Sequence, residues 1–220
     1  MKRLDARHCS LVLVDYQARL MPAIHDGERV VANALLLADA ARLLGVPVLG
    51  TEQNPGGLGP NVEAVRQRCA STLAKMHFDA CEDGLLGQLE ALCDAPEVVL
   101  AGCEAHVCLL QTALGLRRAG REIWVVADAC GSRAPADHTL AMQRLRDAGA
   151  RIVGTEMVLF EWVHDCRHLR NRWRGRQFAG GDVHQRRGPW FDDLRDQPAA
   201  GDHQPPRHTG FDAVGKAQHR

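Results

Sequence analysis

VVLAGCEAHVCLLQTALGLRRAG, residues 98–120, carries a strand, a break and a helix in immediate succession. Residues 98–101 form a short apolar run of the buried-strand type, and Gly102 punctuates its end. From His106 onward Val107, Leu110, Leu114 and Leu116 recur at helical spacing, and Gly120 closes the segment. This pattern predicts Cys108 in the first helical turn. Free backbone N–H groups and the positive end of the helix dipole favour a thiolate there. A thiolate is a nucleophile, so the position points to covalent catalysis; a buried structural cysteine is the plainer reading.

The same alternation extends to both sides. Apolar runs at 11–14, 46–49, 123–127 and 151–153 read as further strands, and residues 30–44, 62–69, 85–93 and 137–148 read as helices. The stripe Val30, Ala34, Leu37, Ala41, Leu44 stops at Gly45, and the helix over 137–148 stops at Gly149. Between the second strand and the next helix lies TEQNPGGLGP (51–60), a loop rich in Gly and Pro. Its GGLG lacks GxGxxG spacing, so it is assigned no phosphate role. Buried strands alternating with amphipathic helices predict an α/β protein, a three-layer α/β/α domain with a mostly parallel sheet of about five or six strands. Ligands bind at the carboxyl ends of such strands. Asp15 and Cys108 both fall at or just beyond those ends.

Composition narrows the classes. The chain has 220 residues, 45% of them hydrophobic, which suffices for one good core and an appendage. A formal net charge of zero implies no general pull toward nucleic acid or anionic lipid. No apolar run approaches the about 18 residues of a membrane span, and MKRLDARHCS shows no signal-peptide pattern. Eight cysteines without framework spacing or a CxxC pair predict reduced thiols and a cytoplasmic location. From residue 166 onward Leu, Ile, Val and Phe fall to about an eighth of the residues, below the level that usually supports a core. The expected organisation is therefore a domain over 1–165 and a poorly ordered Arg/Gly/Pro-rich extension over 166–220. RHLRNRWRGR (167–176) is locally basic, and a solvated tail is the simpler account of it.

Three segments together resemble the isochorismatase-like cysteine hydrolases, the superfamily that includes nicotinamidases and N-carbamoylsarcosine amidohydrolases. They are SLVLVDYQARLMPAI (10–24), AKMHFDAC (74–81) and AGCEAHVCLLQTALGLRRAGREIWVVADACGSR (101–133). TEQNPGGLGP together with EAHVCLLQTA is similar to the isochorismatase-domain hydrolase subgroup, whose substrate is unassigned. The resemblance covers roughly residues 8–165 and implies a Rossmann-like hydrolase fold. By match, the family's catalytic triad falls on Asp15, Lys75 and Cys108. Its oxyanion donors fall on the backbone N–H groups of Glu104 and Cys108, with a cis peptide at Cys103–Glu104.

These residue types suit amide hydrolysis. Asp15 would take the thiol proton and return it to the leaving amine. Lys75 would lower the pKa of Cys108 and hold Asp15 ionised. The sulfur would form a thioester that water then opens. Gln53 and His106 are candidate substrate-pocket residues, with a loop hydrogen bond or a satisfied helix-start histidine as the plainer readings. Nicotinamidases carry an Asp-x-His…His metal cluster after the second strand. This chain has no histidine there, so neither metal nor cofactor is expected. Isochorismatases that cleave a vinyl ether generally lack the nucleophilic Cys, which favours a small amide or carbamoyl substrate here. The resemblance also implies a homo-oligomer, a dimer or tetramer. The competing readings are a non-catalytic scaffold that keeps the fold and a redox-sensing thiol. A scaffold has no need of Lys and Asp converging on a thiol, and a redox sensor would work without Asp15.

Overall fold

Six strands and the helices between them account for residues 3–93 and 95–165, the residues that the computed structural model describes. The strands are β1 (Cys9–Val14), β2 (Val48–Gln53), β3 (Ser71–Lys75), β4 (Glu97–Gly102), β5 (Glu122–Val126) and β6 (Arg151–Val153). They form one sheet in the order β3-β2-β1-β4-β5-β6, every neighbouring pair parallel. The helices are α1 (Gly27–Leu44), α2 (Pro55–Leu58), α3 (Glu63–Arg66), α4 (Leu85–Leu92), α5 (Leu110–Arg118), α6 (Pro135–Asp147) and α7 (Thr155–Val163). The expected α/β class with a mostly parallel sheet is what the chain adopts. The expected extension over 166–220 lies outside the described residues.

The sheet is covered on both faces because its central strands are apolar at consecutive positions. Leu11 and Leu13 of β1 pack with α1 and α7, in a cluster that includes Ala34, Leu37, Ala38, Ala41, Val158 and Trp162. Val12 and Val14 point to the other face and pack with Leu85, Leu89, Leu109, Ala113, Leu116 and Leu145. On β4, Val98 and Leu100 alternate with Val99 and Ala101 in the same way. Each fully buried leucine contributes about 2 kcal/mol of hydrophobic stabilisation.

Strand order decides where a site can form. From β1 the chain builds outward through β2 to β3, then crosses back to lay β4 on the other side of β1. At such a reversal the loops leaving neighbouring strands diverge and open a crevice at the carboxyl edge. The β1–β4 register pairs Val14 with Gly102, so Asp15 and Cys103 leave the sheet side by side. Gly102 is required by that approach: a Cβ there would sit 2.3 Å from the Val14 carbonyl oxygen.

Four boundary expectations change. A sixth strand, β3, joins the five read from the sequence. It is an edge strand in which Leu73 and Lys75 are the buried residues, too sparse an apolar signal to register. The helix expected over 62–69 shortens to the single turn α3. Thr51, Glu52 and Gln53 belong to β2 rather than to the following loop, where Pro55 starts the short α2. Cys108 lies in a π-helical turn, Ala105–Leu109, that precedes α5 rather than in the first turn of an ordinary α-helix. Among the described residues no helix is long and apolar enough to cross a membrane.

Candidate active site

Asp15 is the first residue beyond β1 and adopts a left-handed backbone, φ 53°, that turns the chain sharply away from the sheet. Its side chain is fully buried. Oδ1 accepts a 2.6 Å hydrogen bond from Thr51 Oγ1 on the neighbouring strand. Oδ2 lies 2.8 Å from Lys75 Nζ. At that distance the ammonium makes a charge-assisted contact with Oδ2, and the carboxylate still has lone pairs free to take a proton.

Lys75 ends β3, where the register sets it beside Gln53 at the end of β2. Its side chain runs inward, fully shielded from solvent. Besides Asp15, Nζ donates to Gln53 Oε1 at 2.6 Å and to the His77 carbonyl at 3.4 Å. A buried ammonium is costly, and these oxygens offset that cost. The loop that follows is lashed to α5. Ala80 N–H donates to Thr112 Oγ1, which donates to the Phe78 carbonyl, and Asp79 pairs with Arg118 at 2.8 Å. Lys75 and the helix behind Cys108 are thus tied through the loop between them.

Cys108 is 7% exposed, with Sγ 3.8 Å from Gln53 Oε1. Its turn is anchored by Ala105 N–H on the Gly131 carbonyl and closed by Leu109 N–H on the Glu104 carbonyl. The peptide between Cys103 and Glu104 is cis. Burial pushes the Cys108 thiol up to about 12, the Asp15 carboxylate adds to this, and the Lys75 ammonium opposes it only in part. Desolvation and the nearby anion thus work against the thiolate that the helix start was expected to favour, while Lys75 acts in the expected direction.

The remaining candidates divide. Gln53 is at the centre, yet both ends of its amide are engaged by the protein: Oε1 by Lys75 and Nε2 by the Met76 carbonyl at 2.7 Å. Its neighbour Glu52 accepts from Asn61 N–H at 2.8 Å, a loop hydrogen bond. Glu104 pairs with Arg133 at 2.8 Å, while its backbone N–H has no acceptor among the described residues. His106 turns toward the segment after β5, with Nδ1 3.0 Å from Ser132 Oγ and Nε2 3.9 Å from Asp137. Sequence reasoning missed Thr51 and Gln17, because a Thr and a Gln beside polar neighbours carry no periodic signal. Among the described residues no three His, Cys, Asp or Glu side chains gather in a way that could hold a metal ion.

A carboxylate, an ammonium and a thiol converge at the carboxyl edge of a 3-2-1-4-5-6 sheet, and the family model described as Isochorismatase domain matches residues 9–157. The chain belongs to the isochorismatase family. Isochorismatase domain-containing protein 2 of Danio rerio is 36% identical over 166 residues, spanning 76% of this chain and 84% of that one. Two solved isochorismatase-family neighbours share the fold. The MAR1 ribonuclease of Caenorhabditis elegans superposes with a TM-score of 0.71 at 30% identity, covering 76% of this chain and 87% of that chain. The YcaC gene product of Escherichia coli, described as an octameric hydrolase of unknown specificity, gives 0.72 at 26% identity, covering 78% and 91%. The isochorismatase family is generally one of hydrolases.

Proposed function

We propose that this chain is a cysteine hydrolase that cleaves a C–N bond of a small amide or carbamoyl compound, with Cys108 as nucleophile, Asp15 as acid–base and Lys75 as their charge partner. The observation that carries this reading is the Asp15–Lys75 ion pair, wholly buried beside the Cys108 thiol at the carboxyl edge of the sheet. A buried pair is weak as a stabilising device, so its presence at the carboxyl edge of the sheet beside a thiol favours a chemical role.

Burial pushes the Cys108 thiol up, and in this reading its proton leaves during attack. As Sγ attacks the substrate carbonyl carbon, its proton passes to the Asp15 carboxylate. The C–N bond then breaks, and Asp15 returns that proton to the departing nitrogen. Water attacks the thioester, gives its proton to Asp15, and the acid leaves as Cys108 recovers its hydrogen. Lys75 balances the charge on Asp15 and on the sulfur throughout. The Glu104 and Cys108 backbone N–H groups are the proposed donors to the oxyanion. No cofactor is required by these steps. The described domain would carry the whole reaction, in the cytoplasm, and kinship with an octameric E. coli hydrolase supports assembly of this chain into a homo-oligomer.

The test is a panel of small amides, carbamoyl compounds and, as a separate arm, RNA, offered to the wild type and to Cys108→Ser. Release of ammonia or amine by the wild type alone, with a Cys108 acyl adduct seen by mass spectrometry, is the expected result. Turnover that survives in Cys108→Ser, or cleavage of RNA without any amide, overturns the proposal.

A further inference from the structure

One oxygen atom, Gln53 Oε1, lies within reach of both the ammonium and the sulfur. It is 2.6 Å from Lys75 Nζ and 3.8 Å from Cys108 Sγ. Its orientation is fixed from behind, because Nε2 donates to the Met76 carbonyl at 2.7 Å and so turns the oxygen toward the site. The backbone of Gln53 is held as firmly. Its N–H donates to Gln17 Oε1 at 2.8 Å, and Gln17 Nε2 donates back to its carbonyl at 2.9 Å and to the Gly59 carbonyl at 2.6 Å. Gln17 is itself fully buried. A side-chain amide, three residues beyond β1, thus continues the pairing alongside β2 and clamps its end.

We propose that Gln53 is a positioning residue, whose carbonyl oxygen accepts from the Lys75 ammonium and from the Cys108 S–H together and so keeps the resting thiol protonated and aimed. This deepens the hydrolase reading above and rests on it. A carbonyl oxygen has two lone pairs, which matches two donors. The negative end of its dipole faces the sulfur, so it favours S–H over a thiolate. The charged groups facing Cys108 are Asp15 from the end of β1 and Lys75 from the end of β3. His106, on the same turn, is engaged with Ser132. Gln53 therefore tips the balance between an anion and a cation toward the neutral thiol, and the proton leaves only when a substrate carbonyl draws the sulfur forward. A carboxylate would overshoot this role, because Glu would put a second anion beside Asp15 and hold the proton on the sulfur too tightly for attack. An apolar residue of similar size would release Lys75 to act on the sulfur alone.

The opposite signs make a test that damage to the fold does not imitate. The full chain is prepared as wild type, Gln53→Glu and Gln53→Met, with Gln53→Asn as a further variant in case the glutamate does not fold. Iodoacetamide labelling of Cys108 is followed across pH by peptide mass spectrometry, which separates it from the other cysteines. Expected are a threefold to tenfold faster labelling near neutral pH in Gln53→Met and Gln53→Asn, and a slowing of about the same size in Gln53→Glu. Turnover of an amide identified for the wild type should fall in all of them. Labelling that is unchanged, or that moves in one direction for the glutamate and the methionine alike, overturns the positioning role. Failure of the hydrolase reading would look different: no amide is turned over by the wild type, while the labelling profiles still diverge.

Discussion

Lys75 Nζ lies 2.8 Å from Asp15 Oδ2, with both side chains wholly excluded from solvent. The two residues come from strands separated by β2, and each stands at the carboxyl end of its own strand. Such a pair recovers little more than its own desolvation cost, so replacing both charges is tolerated far better than replacing one. Lys75→Met, which strands the Asp15 carboxylate, should cost about 3–5 kcal/mol in urea unfolding. Asp15→Asn combined with Lys75→Met should recover most of that loss while leaving amide turnover reduced by about 10²-fold or more. A double variant as unstable as Lys75→Met would contradict this account.

Cys108→Ser replaces sulfur by oxygen at a site that is already polar on one side, facing Gln53. Its thermal midpoint should stay within a few degrees of the wild type. Turnover of any amide substrate should fall by a factor on the order of 10⁴ or more, the loss typical of removing a covalent nucleophile. Calorimetry and steady-state rates measured on one preparation check both halves.

Thiol titration gives a third expectation, with a definite sign. Cys108, Cys9, Cys81 and Cys130 are each pushed up to about 12 and Cys69 to about 11, burial being the first cause in every case. A group whose folded pKa is raised favours the folded state at pH values below its unfolded pKa, and that contribution disappears as pH climbs through the folded value. Stability should therefore be insensitive to these thiols between about pH 6 and 8 and decline above about pH 9. Absorbance at the thiolate band should show no Cys108 titration below about pH 9 in the wild type. A thiolate already present near neutrality would refute the neutral resting state.

Gly102→Ala probes the seam between β1 and β4. The added Cβ would lie 2.3 Å from the Val14 carbonyl oxygen and 2.6 Å from Val14 Cβ, on a backbone with φ +154°. Both neighbours are rigid parts of the central sheet, so relief requires the strand ends to part. A loss of about 1–3 kcal/mol is expected, together with impaired turnover, because Asp15 and the Cys103–Glu104 peptide leave the sheet from this point. Chemical denaturation and amide kinetics on Gly102→Ala test the two effects separately.

Much of the architecture was legible in sequence because buried strands announce themselves. Residues 11–14, 98–101 and 123–127 are unbroken apolar runs; the first two lie within strands of the sheet and the third overruns β5 by one residue. β3 was not legible, since an edge strand reading STLAK with a buried lysine follows neither an alternating nor a continuous apolar pattern. The helix over 62–69 was overread because apolar spacing alone does not record where a chain must turn back into the sheet. Asp15, Lys75 and Cys108 stand out in the sequence only through the segments that carry the family resemblance. The isolated residues would have passed as a cap, a surface lysine and a core cysteine.

By itself the sequence determined the layered parallel fold, the strand end that bears Asp15 and the segment that bears Cys108, because local hydrophobic patterning dictates those elements. Only the tertiary structure decided the partners and the direction in which burial pushes the thiol. Whether a thiol beside both a carboxylate and an ammonium ionises depends on distances and desolvation, which residue spacing does not encode. The same holds for Gln53, whose side chain became part of the site only when the ends of β2 and β3 and the turn before α5 were brought within a few ångströms of one another.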